Sequence, residues 1–128
     1  MNYQDQVVVL TGASGGIGSA MAKKFTDLGA KVALLDITVD RVQALADKLG
    51  LGSDRAFCAA VDVSNEESVK ATVDAIVKHF GRIDVLVNAA GIPGPSARVE
   101  DYSFSDAKKV LSVNLFGTFL MMHTVLPV

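Results

Sequence analysis

The aliphatic run Val7-Val8-Val9-Leu10 leads without interruption into Thr11-Gly12-Ala13-Ser14-Gly15-Gly16-Ile17-Gly18, and an amphipathic stretch follows. Strand, glycine-rich turn and helix in that order constrain the fold more than any other feature, because the turn must reverse the chain while leaving backbone N–H groups uncovered. Gly12 permits backbone angles forbidden to other residues, Gly16 lets main-chain N–H groups come close to a pyrophosphate, and Gly18 lets the helix press against its strand. The helix N-terminus supplies unpaired donors and a partial positive charge, so a diphosphate binds there without a basic side chain. No Lys or Arg lies between Thr11 and Gly18. A Walker-type phosphate loop is excluded, because Gly18 is followed by Ser19-Ala20 and not by Lys-Ser/Thr.

Short β-branched runs then alternate with longer helical patterns. Strands are expected near Val7 to Thr11, Lys31 to Asp36, Ala56 to Val63 and Ile83 to Asn88. Helices are expected from Gly16 to Leu28, Val39 to Leu49 and Asn65 to Phe80, stopped by Gly29, Gly50 and Gly81. Ser64-Asn65-Glu66-Glu67 has the form of a capping box, which starts the third helix just after Val63. Beyond a loop carrying Pro93, Gly94 and Pro95, Ser105 to Leu126 reads as one helix of about 33 Å. The alternation predicts a single α/β domain over residues 1–128, a doubly wound, Rossmann-like parallel sheet with its ligand at the strand ends. Four strands and a fourth long helix are fewer elements than the six strands of the full fold, so the chain reads as truncated and its fourth strand as an unpaired edge.

Composition narrows the function. Half of the 128 residues are hydrophobic and 6% aromatic, which describes an aliphatic interior. A net charge of -2, from 12 basic and 14 acidic residues, leaves no footprint for nucleic acid or an anionic membrane. From Val110 to Val128 no residue is charged, but Ser112, Asn114, Gly117, Thr118, His123 and Thr124 interrupt the stretch, which therefore reads as a helix buried on two sides and not as a membrane span. Cys58 alone among alanines is a structural thiol in a reducing compartment, and with two isolated histidines, His79 and His123, it makes no metal-ligand spacing. Met21, Met121 and Met122 read as core. With no signal sequence at the N-terminus, the protein is expected in the cytoplasm.

Asp36 closes the second strand 18 residues after Gly18, where a carboxylate accepts hydrogen bonds from adenosine ribose hydroxyls. A 2′-phosphate there would face a like charge at a cost of about 1 to 4 kcal/mol for a pair about 4 Å apart. That weakens NADP about five-fold to a thousand-fold and favours NAD. Arg41 lies a helical turn further on, too far by sequence to be assumed to compensate.

With Thr11 to Gly18, Asp62-Val63, Asn88-Ala89-Ala90-Gly91 and Asn114 in this order and spacing, the whole chain resembles the short-chain dehydrogenase/reductase family. The resemblance implies that Gly12, Ser14, Ile17 and Gly18 line the pyrophosphate, that Asp36 holds the ribose, and that Asp62 and Val63 flank the adenine. It implies that Asn88 helps hold neighbouring strands, that Asn88, Ala89, Ala90 and Gly91 run under the adenosine side, that Ile92 begins the nicotinamide end, and that Val113 touches the cofactor from the last helix. Asn114 matches the family's catalytic asparagine, which holds a water in a proton relay within a distorted helix. Because it lies in an uncharged helix, such a residue must find partners, as at a buried water site.

The family performs acid/base chemistry with a tyrosine four residues before a lysine. Here Tyr3 is followed at that distance by Val7 and Tyr102 by Asp106. The expectation is an NAD-dependent oxidoreductase of a secondary alcohol or ketone, for example 3-oxoacyl reductase-like or sugar or polyol dehydrogenase-like. This chain is expected to be its cofactor-binding half, inactive alone for want of the Tyr-Lys pair. The alternative is a non-catalytic nucleotide-binding or oligomerisation module that ends at Val128. Leu115, Phe116, Phe119, Leu120, Met121 and Met122 on an exposed helix would be an aggregation hazard, so a homo-oligomer through Ser105 to Leu126 is expected in either case.

Overall fold

Strand β1 (Val7–Thr11) is buried along its whole length because both of its faces are covered, which is why its sequence does not alternate. In the computed structural model, which describes residues 2–128, it is followed by α1 (Gly16–Asp27), β2 (Lys31–Asp36), α2 (Val39–Lys48), β3 (Ala56–Ala60), α3 (Glu66–Phe80) and β4 (Val85–Asn88). A 3-10 turn (Val99–Asp101) precedes α4 (Phe104–Leu111), which continues through a π-helical turn (Ser112–Phe116) into α5 (Gly117–Val125). The strands form one four-stranded sheet in the order β3-β2-β1-β4, with parallel pairing throughout. This is the doubly wound α/β architecture expected from the alternation.

Alternate residues of β1 serve two interiors. Val7 and Val9, with Ala33 and Leu35 of β2, pack on Val69, Val73 and Ile76 of α3 and on Met121 and Val125 of α5. Val8 and Leu10, with Val32 and Leu34, pack on Ala22 of α1 and on Val42 and Ala46 of α2. Each fully buried Val, Leu, Ile or Met side chain contributes about 1.5–3 kcal/mol, and each alanine methyl less. Cys58 is a half-buried packing thiol of the second interior, with Sγ directed at the Val42 carbonyl 3.5 Å away. Burial, and then the charge of Asp47, raise its pKa and keep it protonated.

Several boundaries differ from the sequence expectation for identifiable reasons. β3 ends at Ala60 and not Val63, because β2 stops at Asp36, whose carbonyl accepts the last rung from Val61 N at 2.8 Å. The next N–H, of Asp62, faces Ser68 Oγ instead, at 3.0 Å. β4 begins at Val85 and not Ile83, because the Asp84 carboxylate takes the N–H of Val7 at 2.8 Å. The third helix is capped by Asn65 and not Ser64: Asn65 Oδ1 accepts from Ser68 N, while the Ser64 hydroxyl and N–H are both spent on Asp62 Oδ1.

The largest difference is in the last helix. It begins at Phe104 behind a Ser103 cap, one residue before Ser105, and it is not continuous. The π turn falls where two long-range constraints meet: Asn114 reaches across to Ile92, and Gly117 lies so close to Val63 that a Cβ there would sit 2.6 Å from Val63 Cγ2. α5 buries one side only, through Gly117, Met121 and Val125 against α3 and β4. Met121 is therefore interior and Leu120 half-buried against the core, whereas Leu115, Phe116, Phe119 and Met122 are exposed, so Met122 is not a core residue. Among the described residues no helix is long and apolar enough to cross a membrane.

Candidate functional site

A cavity of about 740 Å³ opens at the carboxyl ends of the strands, within the size range of small-molecule sites. It lies where β1 sends the chain to β2 on one side and accepts β4 on the other, the switch point at which open parallel sheets bind ligands. Its walls come from the glycine turn (Gly12, Ser14, Gly15), the end of β2 (Asp36, Ile37), α2 (Arg41), and the segment after β3 (Val61, Asp62, Val63, Ser64). The segment after β4 (Ala89, Ala90, Gly91, Ile92) and one helical face (Lys109, Ser112, Val113) complete it.

The turn is shaped by backbone contact. Gly12 has φ +62, and a Cβ on it would meet the Ala89 carbonyl oxygen at 2.5 Å and the Ala90 nitrogen at 2.8 Å. A Cβ on Gly18 would collide with the Gly12 carbonyl oxygen, so this glycine sets how tightly α1 seats on its turn. Gly15, the N-cap, offers no side chain, and the first turn of α1 carries no acidic residue. Among the described residues the N–H groups of Gly16, Ile17 and Gly18 have no acceptor. Three free donors in one helical turn beside a cavity fit the phosphates of a dinucleotide.

Thr11 ties this turn to the segment after β4. Its hydroxyl is almost wholly buried and accepts from Ala89 N at 3.1 Å and Ala90 N at 3.2 Å, while directed at the Val87 carbonyl. Sequence reading placed Thr11 in the motif without a role; its signal was a polar residue ending an otherwise apolar strand.

Asp36 stands at the opposite end. Ser14 Oγ and Ser14 N (3.1 Å) both donate to Oδ2, and Ile37 N donates to Oδ1 at 2.7 Å. Partial burial pushes its pKa up, but the Ser14 hydroxyl, the Ile37 and Ser14 amides and then the charge of Arg41 outweigh it and hold the carboxyl below its ordinary value. Arg41, whose position along the chain gave no ground to assume that it reaches, lines the same cavity. Ser14 does line the cavity, with its hydroxyl spent on Asp36.

Asn114 pairs with one residue through both ends of its amide. Oδ1 accepts from Ile92 N and Nδ2 donates to Ile92 O, each at 2.8 Å. It is exposed in this structure, not enclosed, and it lies outside the cavity wall, so its observed work is to anchor the segment after Gly91 to the π turn. Asp62, Val63, Ala89, Ala90, Gly91 and Val113 all line the cavity; Gly16, Ile17, Gly18 and Asn88 do not. Ile17 is exposed, and Asn88 borders a separate groove between β4 and α5.

Lys109 and Ser112, unassigned from sequence, share a helix face with Val113, and that spacing was the available signal. Tyr3 packs edge-on against Phe25, and Tyr102 abuts Gly94; neither borders the cavity. His79 lies 2.7 Å from the Ser53 carbonyl, and His123 stacks on Phe119. No cluster of three or more His, Cys, Asp or Glu able to hold a metal occurs among the described residues.

The parallel sheet, the glycine turn and the cavity at the strand ends define a dinucleotide-fold protein. The family profile described as short chain dehydrogenase matches residues 6–128, and the chain belongs to that family. It is 43% identical over 94% of its length to D-threitol dehydrogenase of Mycolicibacterium smegmatis, covering 46% of that protein. The crystal structure of levodione reductase superposes with a TM-score of 0.91 at 36% identity, covering 97% of this chain and 49% of the other. NAD+-bound xylitol dehydrogenase superposes with a TM-score of 0.88 at 36% identity, over 98% of this chain and 48% of the other. The chain thus spans about half the length of the relatives it matches.

Proposed function

We propose that this chain binds NAD for an oxidoreductase acting on a secondary alcohol or ketone. The observation that carries the reading is the set of free N–H groups at Gly16, Ile17 and Gly18, which follow directly on Gly15 at the wall of the cavity that also holds the carboxylate at the end of β2. NAD supplies the hydride donor or acceptor when bound. The α1 N-terminus holds the diphosphate, Asp36 accepts from the ribose hydroxyls, Asp62 and Val63 flank the adenine with Val113 behind it, and the Ala89 to Gly91 backbone forms the floor. Asn114, its amide oriented by Ile92, is assigned to the proton relay. Relatives named for threitol and xylitol support an alcohol substrate, and levodione reductase a ketone. We place the protein in the cytoplasm, on its single unpaired thiol.

Titration of the intact protein with NADH and NADPH tests the reading. NADH is expected to bind more tightly, by about five-fold to a thousand-fold. Asp36→Ala should narrow that gap; an unchanged ratio would make Asp36 only a brace for the turn.

We also propose self-association through the face that carries Leu115, Phe116, Phe119 and Met122, exposed at 57%, 56%, 55% and 41%. Light scattering is expected to give a multiple of the chain mass, shifted toward the monomer by Phe119→Asp. A monomeric parent at micromolar concentration would refute it.

A further inference from the structure

From Pro93 to Ala97 the chain makes no hydrogen bond among the described residues, and every residue of this strap except Gly94 is exposed. The strap is nonetheless stiff. Pro93 and Pro95 fix their own φ angles and restrict the residue before each, and Gly94 between them sits at φ +69. Both ends are tied: Ile92 by the amide of Asn114, and the Arg98 carbonyl by Asp101 N, which donates to it at 3.0 Å in the 3-10 turn. Between the ties the strap rests on Tyr102 and Val110. A Cβ on Gly94 would collide with the Tyr102 hydroxyl and stand 2.7 Å from Val110 Cγ2, with Tyr102 Cζ at 3.5 Å. Tyr102 is itself fixed from both sides, since its N–H donates to the Val99 carbonyl at 3.2 Å and the next residue, Ser103, caps α4. Its hydroxyl has no hydrogen-bond partner among the described residues, so it acts on Gly94 by packing. Val110 lies one helical turn before Val113 of the cavity wall.

We propose that Tyr102 is a positioning residue for the nicotinamide half of a bound dinucleotide, acting through Gly94 to hold the strap from Pro93 to Arg98 as the wall of that end. The inference rests on the reading of the cavity as a dinucleotide site. In the strand order β2-β1-β4, a ribose at the end of β2 and a diphosphate at the helix that follows β1 leave the second nucleoside to continue over β4. The chain leaving β4 supplies the Ala89 to Gly91 floor, then Ile92 on the cavity wall, then the strap. Floor and strap are held by different side chains. The Thr11 hydroxyl takes the N–H groups of Ala89 and Ala90, whereas Tyr102 and Val110 carry Gly94. Loss of the Tyr102 ring therefore lets the strap sink toward α4 without releasing the floor, the glycine turn or Asp36. With the ring in place the strap is already ordered when the nucleotide arrives; without it, binding has to supply that order. The cost falls on a ligand that carries the nicotinamide nucleoside and spares one that ends at the second ribose.

The test is a set of NADH and ADP-ribose dissociation constants, by calorimetric titration of the intact protein, together with the rate of tryptic cleavage after Arg98. The variants are Tyr102→Ala, Tyr102→Phe, Gly94→Ala and Gly94→Ala/Tyr102→Phe. Tyr102→Ala is expected to weaken NADH about ten-fold and ADP-ribose less than about two-fold. Cleavage after Arg98 should quicken about ten-fold, because the exposed strap has lost its rest. Tyr102→Phe keeps the ring and should stay within about two-fold of the parent on each readout. Gly94→Ala should weaken NADH as Tyr102→Ala does, since its Cβ lifts the strap off the hydroxyl. Adding Tyr102→Phe to it should recover about three-fold or more, because the remaining ring atom lies at ordinary contact distance; the Val110 methyl keeps the recovery partial. Equal losses for NADH and ADP-ribose in Tyr102→Ala, an unchanged cleavage rate, or no recovery in the double variant would overturn the proposal while leaving the cofactor reading intact. So would a parent that binds ADP-ribose as tightly as NADH. A parent that binds neither would overturn both.

Discussion

Gly12→Ala is expected to lower stability by about 2–5 kcal/mol and to abolish dinucleotide binding. The residue sits at φ +62, where a side chain is strained, and the new Cβ would point at the Ala89–Ala90 peptide, with its nearest atoms at 2.5, 2.7 and 2.8 Å. Those atoms are backbone, held by the Thr11 hydroxyl and by β4, so no flexible side chain can yield. Relief requires the turn to separate from the floor of the cavity. Gly16→Ala is the contrast: a Cβ there meets nothing within 4 Å. It should change stability by less than about 1 kcal/mol, since alanine is the better helix former. Urea unfolding and NADH titration of both variants check the pair; equal stabilities would mean that the Gly12 contact is not rigid.

Thr11→Val is expected to cost about 2–4 kcal/mol although it preserves shape and volume. The substitution leaves Ala89 N and Ala90 N facing an apolar methyl where the Thr11 side chain is almost wholly buried, and donors left unpaired against it are penalised. Thr11→Ser keeps the oxygen and loses only the methyl, so it should recover all but about 1 kcal/mol. Nucleotide affinity should follow stability in this series, because the same hydroxyl aligns the glycine turn with the Ala89 to Gly91 floor. A Thr11→Val variant as stable as Thr11→Ser would show that packing alone joins the two segments.

How much of this was legible differs between elements. The strand cores and the first three helices were readable because β-branched runs, helical periodicity and stop glycines act over a few residues. The ends of β3 and β4 were not. They depend on where β2 runs out and on which side chain captures the N–H of Val7, and both are long-range facts. The uncharged stretch from Val110 pointed to burial, but hydrophobicity without periodicity could not show which side is buried. Met121 and Met122 are adjacent and of the same type, yet one is interior and the other exposed, because Gly117 seats the helix on Val63.

The candidate site divides in the same way. Gly12, Ser14, Asp36, Asp62, Val63, Ala89, Ala90, Gly91 and Val113 were marked in sequence, and all of them border the cavity. Arg41, Lys109 and Ser112 share that wall without having been marked, since sequence distance is a poor guide to reach once helices pack over strand ends.

By itself, then, the sequence determined the order and kind of the elements, the family, and the place of the glycine turn that opens α1, because local backbone preference and hydrophobic period are written in neighbouring residues. Only the tertiary structure decided that Thr11 holds the floor of the cavity, that Ser14 is committed to Asp36, that Asn114 is pinned to Ile92, and that Arg41 and Lys109 enter the same crevice. The physical reason is the strand order: placing β4 beside β1 joins segments some 78 residues apart, and the pairings made there have no counterpart in any local window.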